Sequence, residues 1–191
     1  MKYVLNFSNS FSYLRIFCSP FLLVPAFLGE RDFFLWMFTI LYITDFLDGF
    51  FARILGQMSE LGTKLDSYGD LVMYIFGGIG MWILWPEILE RESLAAITIV
   101  VSYVVADLAG LLRWKRLTSY HTLGDKFSMV IVGGSAILLF GFDMRWPFHL
   151  SALIMALAAL EEIAITMILP TWKANVPTVV HAIRERMRYE R

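Results

Sequence analysis

Four aspartates, Asp45, Asp48, Asp66 and Asp70, crowd the stretch ITDFLDGFFARILGQMSELGTKLDSYGD of an otherwise apolar chain. Spacings of three and four residues stack each pair on one face of a helix. Two helices presenting these faces to each other would bring four carboxylates into one small volume. Such like charge is unfavourable unless cations neutralise it, so the pattern predicts a metal site. The donors are all oxygen, with no His or Cys nearby, which suits Mg2+ or Mn2+ rather than zinc. Mg2+ commonly binds through a few carboxylates together with substrate phosphates, so a phosphate-bearing substrate is expected. Gly49, Ala52 and Gly62 leave room for a bulky ligand, and Arg53 adds a fixed positive charge. The competing reading is an exposed charged helix–loop–helix, but no lysine is interleaved before Lys64.

The elements that position these residues are read from hydrophobic runs. Of the 191 residues 58% are hydrophobic, against about 45–50% in soluble domains. A membrane protein is therefore expected, all-α because only helices or closed barrels satisfy the backbone in lipid. At about 20 residues per crossing, six spans are predicted near 11–29, 33–53, 65–86, 94–112, 127–143 and 147–169. Short polar connections and the lack of a linker or internal repeat predict a single domain over 1–191. The first apolar stretch reads as a retained span: Arg15 lies at its start, Pro20 interrupts it, and no small-x-small site follows. The lone Cys18 excludes an intramolecular disulfide and reads as a small buried hydrophobe. Net charge of −1 says little, and no nucleic-acid patch, P-loop or dinucleotide fingerprint is present.

Orientation follows from the basic residues. Lys2, Arg53, Lys64, Arg113, Lys115, Arg116, Lys126, Lys173, Arg184, Arg186, Arg188 and Arg191 fall on one side, and only Arg31, Arg91 and Arg145 on the other. The positive-inside rule then puts both termini and the aspartates at the cytoplasm. Trp82, Trp85 with Pro86, and Trp146 with Pro147 mark the far interface. Glycines at 77, 78, 80, 133 and 134 are expected to let helices approach closely.

A second polar stretch, RWKRLTSYHTLGDK, clusters Arg113, Lys115, Arg116, His121 and Lys126. Topology and attraction to anionic lipid account for part of it; converging cationic donors would also suit an anionic acceptor. Asp107, Glu161 and Glu162 lie inside spans, where acids are costly. Function, a hydrogen bond inside the bundle and pairing with Arg15 all stay open for them. From 173 to 191, Val176, Val179, Val180, Ile183 and Met187 alternate at helical spacing with arginines, as in an amphipathic helix on the inner leaflet.

The string Asp45-x2-Asp48-Gly49-x2-Ala52-Arg53-x8-Gly62-x3-Asp66-x3-Asp70 resembles, at every position, the signature of the CDP-alcohol phosphotransferases (CDP-alcohol phosphatidyltransferases). The signature covers about a seventh of the chain. Asn9, Phe11, Ser12, Arg15 and Pro20 are similar to the start of the phosphatidylglycerophosphate synthase branch, with Phe11 and Ser12 where Leu and Thr are usual. The resemblance implies a multi-pass enzyme of the inner (plasma) membrane that moves a phosphatidyl group from CDP-diacylglycerol to an alcohol and releases CMP. It implies ligation of two Mg2+ or Mn2+ ions by the four aspartates, with Asp70 as general base. It further implies contacts from Asp48, Gly49, Ala52, Arg53, Gly62 and Asp66 to the CDP moiety, and a homodimer. Arg15 is open to a phosphate-binding role or to snorkelling toward headgroups.

The acceptor is divided by the same residues. The Arg15–Pro20 pattern and the basic 113–126 stretch favour glycerol 3-phosphate. Leu71 stands where that branch usually has lysine, and LDSYGDLV resembles the phosphatidylserine synthase branch, so serine stays open, as do inositol acceptors and cardiolipin-type chemistry. A small cation transporter is the rival from another class. Transporters tend to bind ions near the midplane between repeated halves, whereas these aspartates sit at span ends and no halves match.

Overall fold

The computed structural model describes residues 7–54, 60–115, 120, 122–173 and 176–189; side chains at 7–9, 45–54, 60–64, 66, 67, 123, 125 and 126 lie outside that description. Among the described residues every regular element is helical. They are α1 (Phe7–Cys18), a 3-10 turn (Ser19–Leu22), α2 (Leu23–Leu28), α3 (Arg31–Ile54), α4 (Glu60–Leu84), α5 (Pro86–Arg91), α6 (Ser93–Trp114), α7 (Leu123–Phe142), α8 (Arg145–Ile168) and α9 (Val179–Tyr189). Ser10–Leu28, Ser93–Trp114 and Arg145–Ile168 are long and apolar enough to cross a membrane, and Tyr68–Leu84 and Phe127–Phe142 are shorter apolar helices.

The breaks have local causes. Pro20 opens the 3-10 turn that interrupts the first apolar run, since its ring cannot continue the preceding hydrogen-bond ladder. Gly29 adopts φ 76° and closes α2, a left-handed cap that a residue without Cβ takes at no steric cost. Lys115 ends α6 in the same region at φ 55°.

The chain divides into two compact units, Met1–Glu90 and Arg91–Arg191. In the first, α3 and α4 meet through aromatic rings seated on glycines. Phe34 and Phe38 are fully buried and stack with ring centroids 6.3 Å apart. Trp85 packs edge-on against Phe34 at 5.9 Å. A Cβ built on Gly77 would lie 2.6 Å from the Phe38 ring, and one on Gly80 would overlap the Phe34 ring. These glycines therefore serve the close approach expected of them, whereas Gly78 faces open space. On its other side α4 takes α1: a Cβ on Gly69 would sit 3.3 Å from the Ser12 carbonyl oxygen. Outward, Phe17, Phe21, Phe27, Trp36 and Ile40 are exposed, a surface suited to acyl chains and not to water.

In the second unit α6 and α8 run in the same direction. Glu92, just before α6, meets Arg145 and His149 at the start of α8. At the other end Arg113 donates to the carbonyl of Leu169, just past α8. Their packed faces are small, with Ala106, Ala152, Ala158 and Ala159 buried, as close packing in lipid favours. Ser135 of α7 and Ser151 of α8 join by a 3.0 Å hydrogen bond.

The tail folds back onto α8. Val176 and Ala182 are buried with Tyr120, Ile165 and Leu169, and Val179 packs against them. The Val179 N–H donates to Glu161 Oε1 at 3.3 Å, placing an acid at the electropositive start of α9. The apolar residues read as one membrane face are thus split. Val176 and Val179 turn inward, and Val180, Ile183 and Met187 remain exposed.

Candidate active site

Of the four aspartates, Asp70 is the one whose side chain is described. It sits on α4, one residue past the glycine that admits α1, with its side chain 28% exposed. Its partner is Arg15, whose side chain is wholly buried and donates Nη1 to Asp70 Oδ1. Ser19 fixes the turn beneath by donating to the Arg15 carbonyl at 2.6 Å. The snorkelling reading of Arg15 is therefore corrected: burying a guanidinium is tolerable where a carboxylate meets it, and Asp70 supplies that carboxylate. The small size of Gly69, against which Arg15 Nε would lie 3.4 Å from a Cβ, is what lets the two helices bring the pair together.

Asp45 and Asp48 lie on α3 and Asp66 on α4. Their side chains, with those of Gly49, Ala52, Arg53 and Gly62, are outside the described residues, as are Arg116 and His121 entirely and the side chain of Lys126. On α3 the positions 34, 38, 41, 45 and 48 advance by four and three and so share one face. On α4, positions 80, 77, 73, 70 and 66 do the same.

The basic stretch is partly committed to structure. Arg113 donates Nη2 to the Leu169 carbonyl at 3.1 Å and stacks 4.9 Å over the Trp114 ring. Lys115 is the exposed left-handed cap of α6. Between them and α7, Tyr120 is fully buried and accepts hydrogen bonds from Trp114 Nε1 and Thr166 Oγ1, each 3.1 Å long. Sequence spacing gave no sign of this tyrosine, because both partners are fixed by the packing of α6 and α8.

Among the acids inside spans, Glu161 serves α9 as described, Glu162 is buried and Asp107 half-buried. A further acid, Glu92, went unremarked in the polar PEILERES segment. It is buried and accepts from Arg91 Nε at 2.9 Å, from Arg145 Nε, and from His149 Nε2 at 2.6 Å. Burial pushes its carboxyl up, but the hydrogen bonds from His149, Arg145 and Arg91 outweigh that and lower it to about 2.

Among the described residues these features define a helical protein with three helices long and apolar enough to cross a membrane and a buried arginine paired with Asp70. The CDP-alcohol phosphatidyltransferase family matches residues 5–167, and the chain belongs to that family. It is 26% identical over 171 residues to a CDP-diacylglycerol–glycerol-3-phosphate 3-phosphatidyltransferase of Aquifex aeolicus, covering 88% of this chain and 92% of that one. It is 32% identical over 108 residues to a CDP-diacylglycerol–serine O-phosphatidyltransferase of Methanocaldococcus jannaschii, covering 55% and 49%. It is 29% identical over 138 residues to a phosphatidylinositol phosphate synthase of Mycobacteroides abscessus, covering 68% and 59%. No solved structure matches the chain significantly.

Proposed function

We propose that the chain transfers the phosphatidyl group of CDP-diacylglycerol to the primary hydroxyl of glycerol 3-phosphate, releasing CMP. Membership of the family supports the reaction type, and the similarity to the Aquifex relative, over nearly the whole of both chains, supports the acceptor. The observation that carries the site is the α3–α4 seam. Phe34 lies on Gly80 and Phe38 on Gly77, so paired positions sum to 114 and 115; Leu41 and Met73, the next step, are both buried. The same antiparallel register carried onward pairs position 45 with 70 and 48 with 66. Aromatic and aliphatic pairs in one half of the seam thus lead to carboxylates in the other.

The residues fit a divalent ion, since an all-carboxylate donor set suits Mg2+ or Mn2+ and the partly exposed Asp70 already stands on that face. Asp45, Asp48, Asp66 and Asp70 would hold it, two ions in all, and when bound it supplies positive charge to the diphosphate. The chain's own part in the transfer is proton movement and positioning. The acceptor oxygen attacks the phosphorus bearing diacylglycerol, the bond from that phosphorus to the CMP oxygen breaks, and CMP leaves with the electron pair. Asp70 takes the hydroxyl proton as general base, and Arg15 fixes its carboxylate in place. Asp48, Gly49, Ala52, Arg53, Gly62 and Asp66 contact the CDP moiety. Arg113, Lys115, Arg116, His121 and Lys126 hold the acceptor phosphate, Arg113 through donors not spent on Leu169.

The basic-residue bias supports six spans with both termini and the site at the cytoplasmic face of the plasma (inner) membrane. The family resemblance supports a homodimer. A serine acceptor is the second reading, favoured by Leu71 after Asp70 and by the Methanocaldococcus relative. CMP release from CDP-diacylglycerol, measured with glycerol 3-phosphate, serine and inositol phosphate in turn, decides between them. Turnover with glycerol 3-phosphate alone is expected; turnover with serine alone overturns the acceptor, and ion transport in liposomes without CMP release overturns the reaction.

A further inference from the structure

At the end of the second unit opposite Trp114 and Leu169, the starts of α6 and α8 enclose an open cleft of about 430 Å³. One mouth is polar, built on Arg145 and His149, both about half exposed and both anchored to the buried Glu92. The floor is Ala95 and Ala152, and the walls toward the membrane are the exposed Leu94 and Leu153. Trp146, beside Arg145, is exposed at the same level, where an indole favours the headgroup region.

The charges are unequally spent. Arg91 gives Nε to Glu92 and Nη2 to Asp143, so it is committed to acids on two sides. Arg145 gives only Nε to Glu92, leaving both Nη groups as donors without an acceptor among the described residues. His149 must donate Nε2–H to Glu92, because the carboxylate is ionised and can only accept. Its Nδ1 therefore faces no protein partner among the described residues. Both acids are thus spent on the protein, and the charged donors left facing the cleft are the two Nη groups of Arg145. A ligand with one negative charge, several acceptor oxygens and an apolar continuation satisfies all of this. The first two needs are met by a phosphate, and the third by acyl chains lying over Leu94 and Leu153.

We infer that the cleft between the starts of α6 and α8 binds the phosphodiester of an anionic phospholipid, held by Arg145 and His149, with an acyl chain along Leu94 and Leu153. Glu92 is the positioning residue: its buried carboxylate aims the cations and touches no lipid. The proposal uses none of the aspartate-motif residues and does not depend on which alcohol is the acceptor. By the basic-residue bias along the chain, its residues belong to the outer leaflet.

The test uses the full chain in vesicles of phosphatidylcholine containing a trace of phosphatidylglycerol with a photoactivatable acyl chain. After illumination, labelling is mapped by mass spectrometry. Label is expected on residues 91–98 and 145–153, and to fall at least tenfold in Arg145→Gln and in His149→Gln. Both replacements keep a donor for Glu92 while removing the cleft-facing group, the Nη donors of Arg145 in one and the imidazole of His149 in the other. Leu153→Trp, which fills the apolar wall and leaves every donor in place, is expected to lower labelling as well. Helix content by circular dichroism confirms folding, and Leu153→Trp carries the test should the other two fail to fold. Undiminished labelling in the folded variants, or equal labelling by a phosphatidylcholine probe, overturns the proposal. Loss of label in 10 mM inorganic phosphate at constant ionic strength, with no loss in sulfate, gives the site to free phosphate and overturns the lipid assignment.

Discussion

Among the described residues, the ionic centres at Arg15 and at Glu92 are built with opposite polarity. In the first unit the buried member is a cation, Arg15, and the member left partly open is the carboxylate of Asp70. In the second the buried member is an anion, Glu92, and the open members are Arg145 and His149. Burying one charge is costly unless it is paired, so each interior ion fixes its partners. The sign left facing outward then decides what can be recruited: cations at Asp70, anions at Arg145 and His149. The same physical device thus suits a metal-dependent transferase centre at one place and a lipid phosphate at the other.

The comparison breaks most visibly at Asp70. Asp70→Asn removes the proposed base and is expected to lower kcat by about 10²–10⁴-fold, the usual worth of general base catalysis, measured as CMP release. Arg15→Lys tests the buried partner. A lysine offers a point charge in place of a planar fork, so kcat is expected to fall while helix content stays unchanged. An equal loss of helix would make Arg15 structural only.

Next in size is the seam that leads to the aspartates. Gly80→Leu drives a side chain into the Phe34 ring, and overpacking of this kind costs about 1–3 kcal/mol. A lowered melting temperature is expected, with a matching loss of CMP release because the proposed register at 45/70 and 48/66 continues this seam. Gly78→Leu, facing open space, is the control and should change neither.

Glu92 yields a pH signature. Its carboxyl is held near 2, below the ordinary 4.5, so its contribution to stability is complete above about pH 4.5. That contribution is lost as pH falls toward 2. Thermal unfolding of the wild type should therefore weaken through this window, and Glu92→Gln should flatten that part of the curve. A smaller effect is expected at Glu161. Glu161→Gln weakens one hydrogen bond to the start of α9, worth about 0.5–1.5 kcal/mol, seen as faster proteolysis of the tail with CMP release unchanged.

Much of this was written in the chain, and the remainder has a common physical character. The predicted segments coincide with helices to within five residues at their ends, because apolar runs, Pro20, Gly29 and Pro86 act locally, and among the described residues three of those helices are long and apolar enough to cross a membrane. The aspartate spacing of three and four is likewise a local property of a helix. Arg15 with Asp70, Arg113 with the Leu169 carbonyl, and Glu92 with His149 each join residues more than 50 positions apart. No period along the chain encodes such pairs; they exist only once the helices have packed. The tail shows the same limit: helical spacing made one apolar face of Val176 through Met187, and packing of Ala182 onto α8 divided it in two.

The central claim is that Asp45, Asp48, Asp66 and Asp70 together serve a divalent ion acting on a CDP-linked lipid. The direct measurement is CMP release by enzyme stripped with chelator, then titrated with Mg2+ or Mn2+, in the wild type and in Asp48→Asn. Turnover is predicted to vanish on stripping, return with added metal in the wild type, and stay absent in the variant. Full turnover in the stripped enzyme would contradict it.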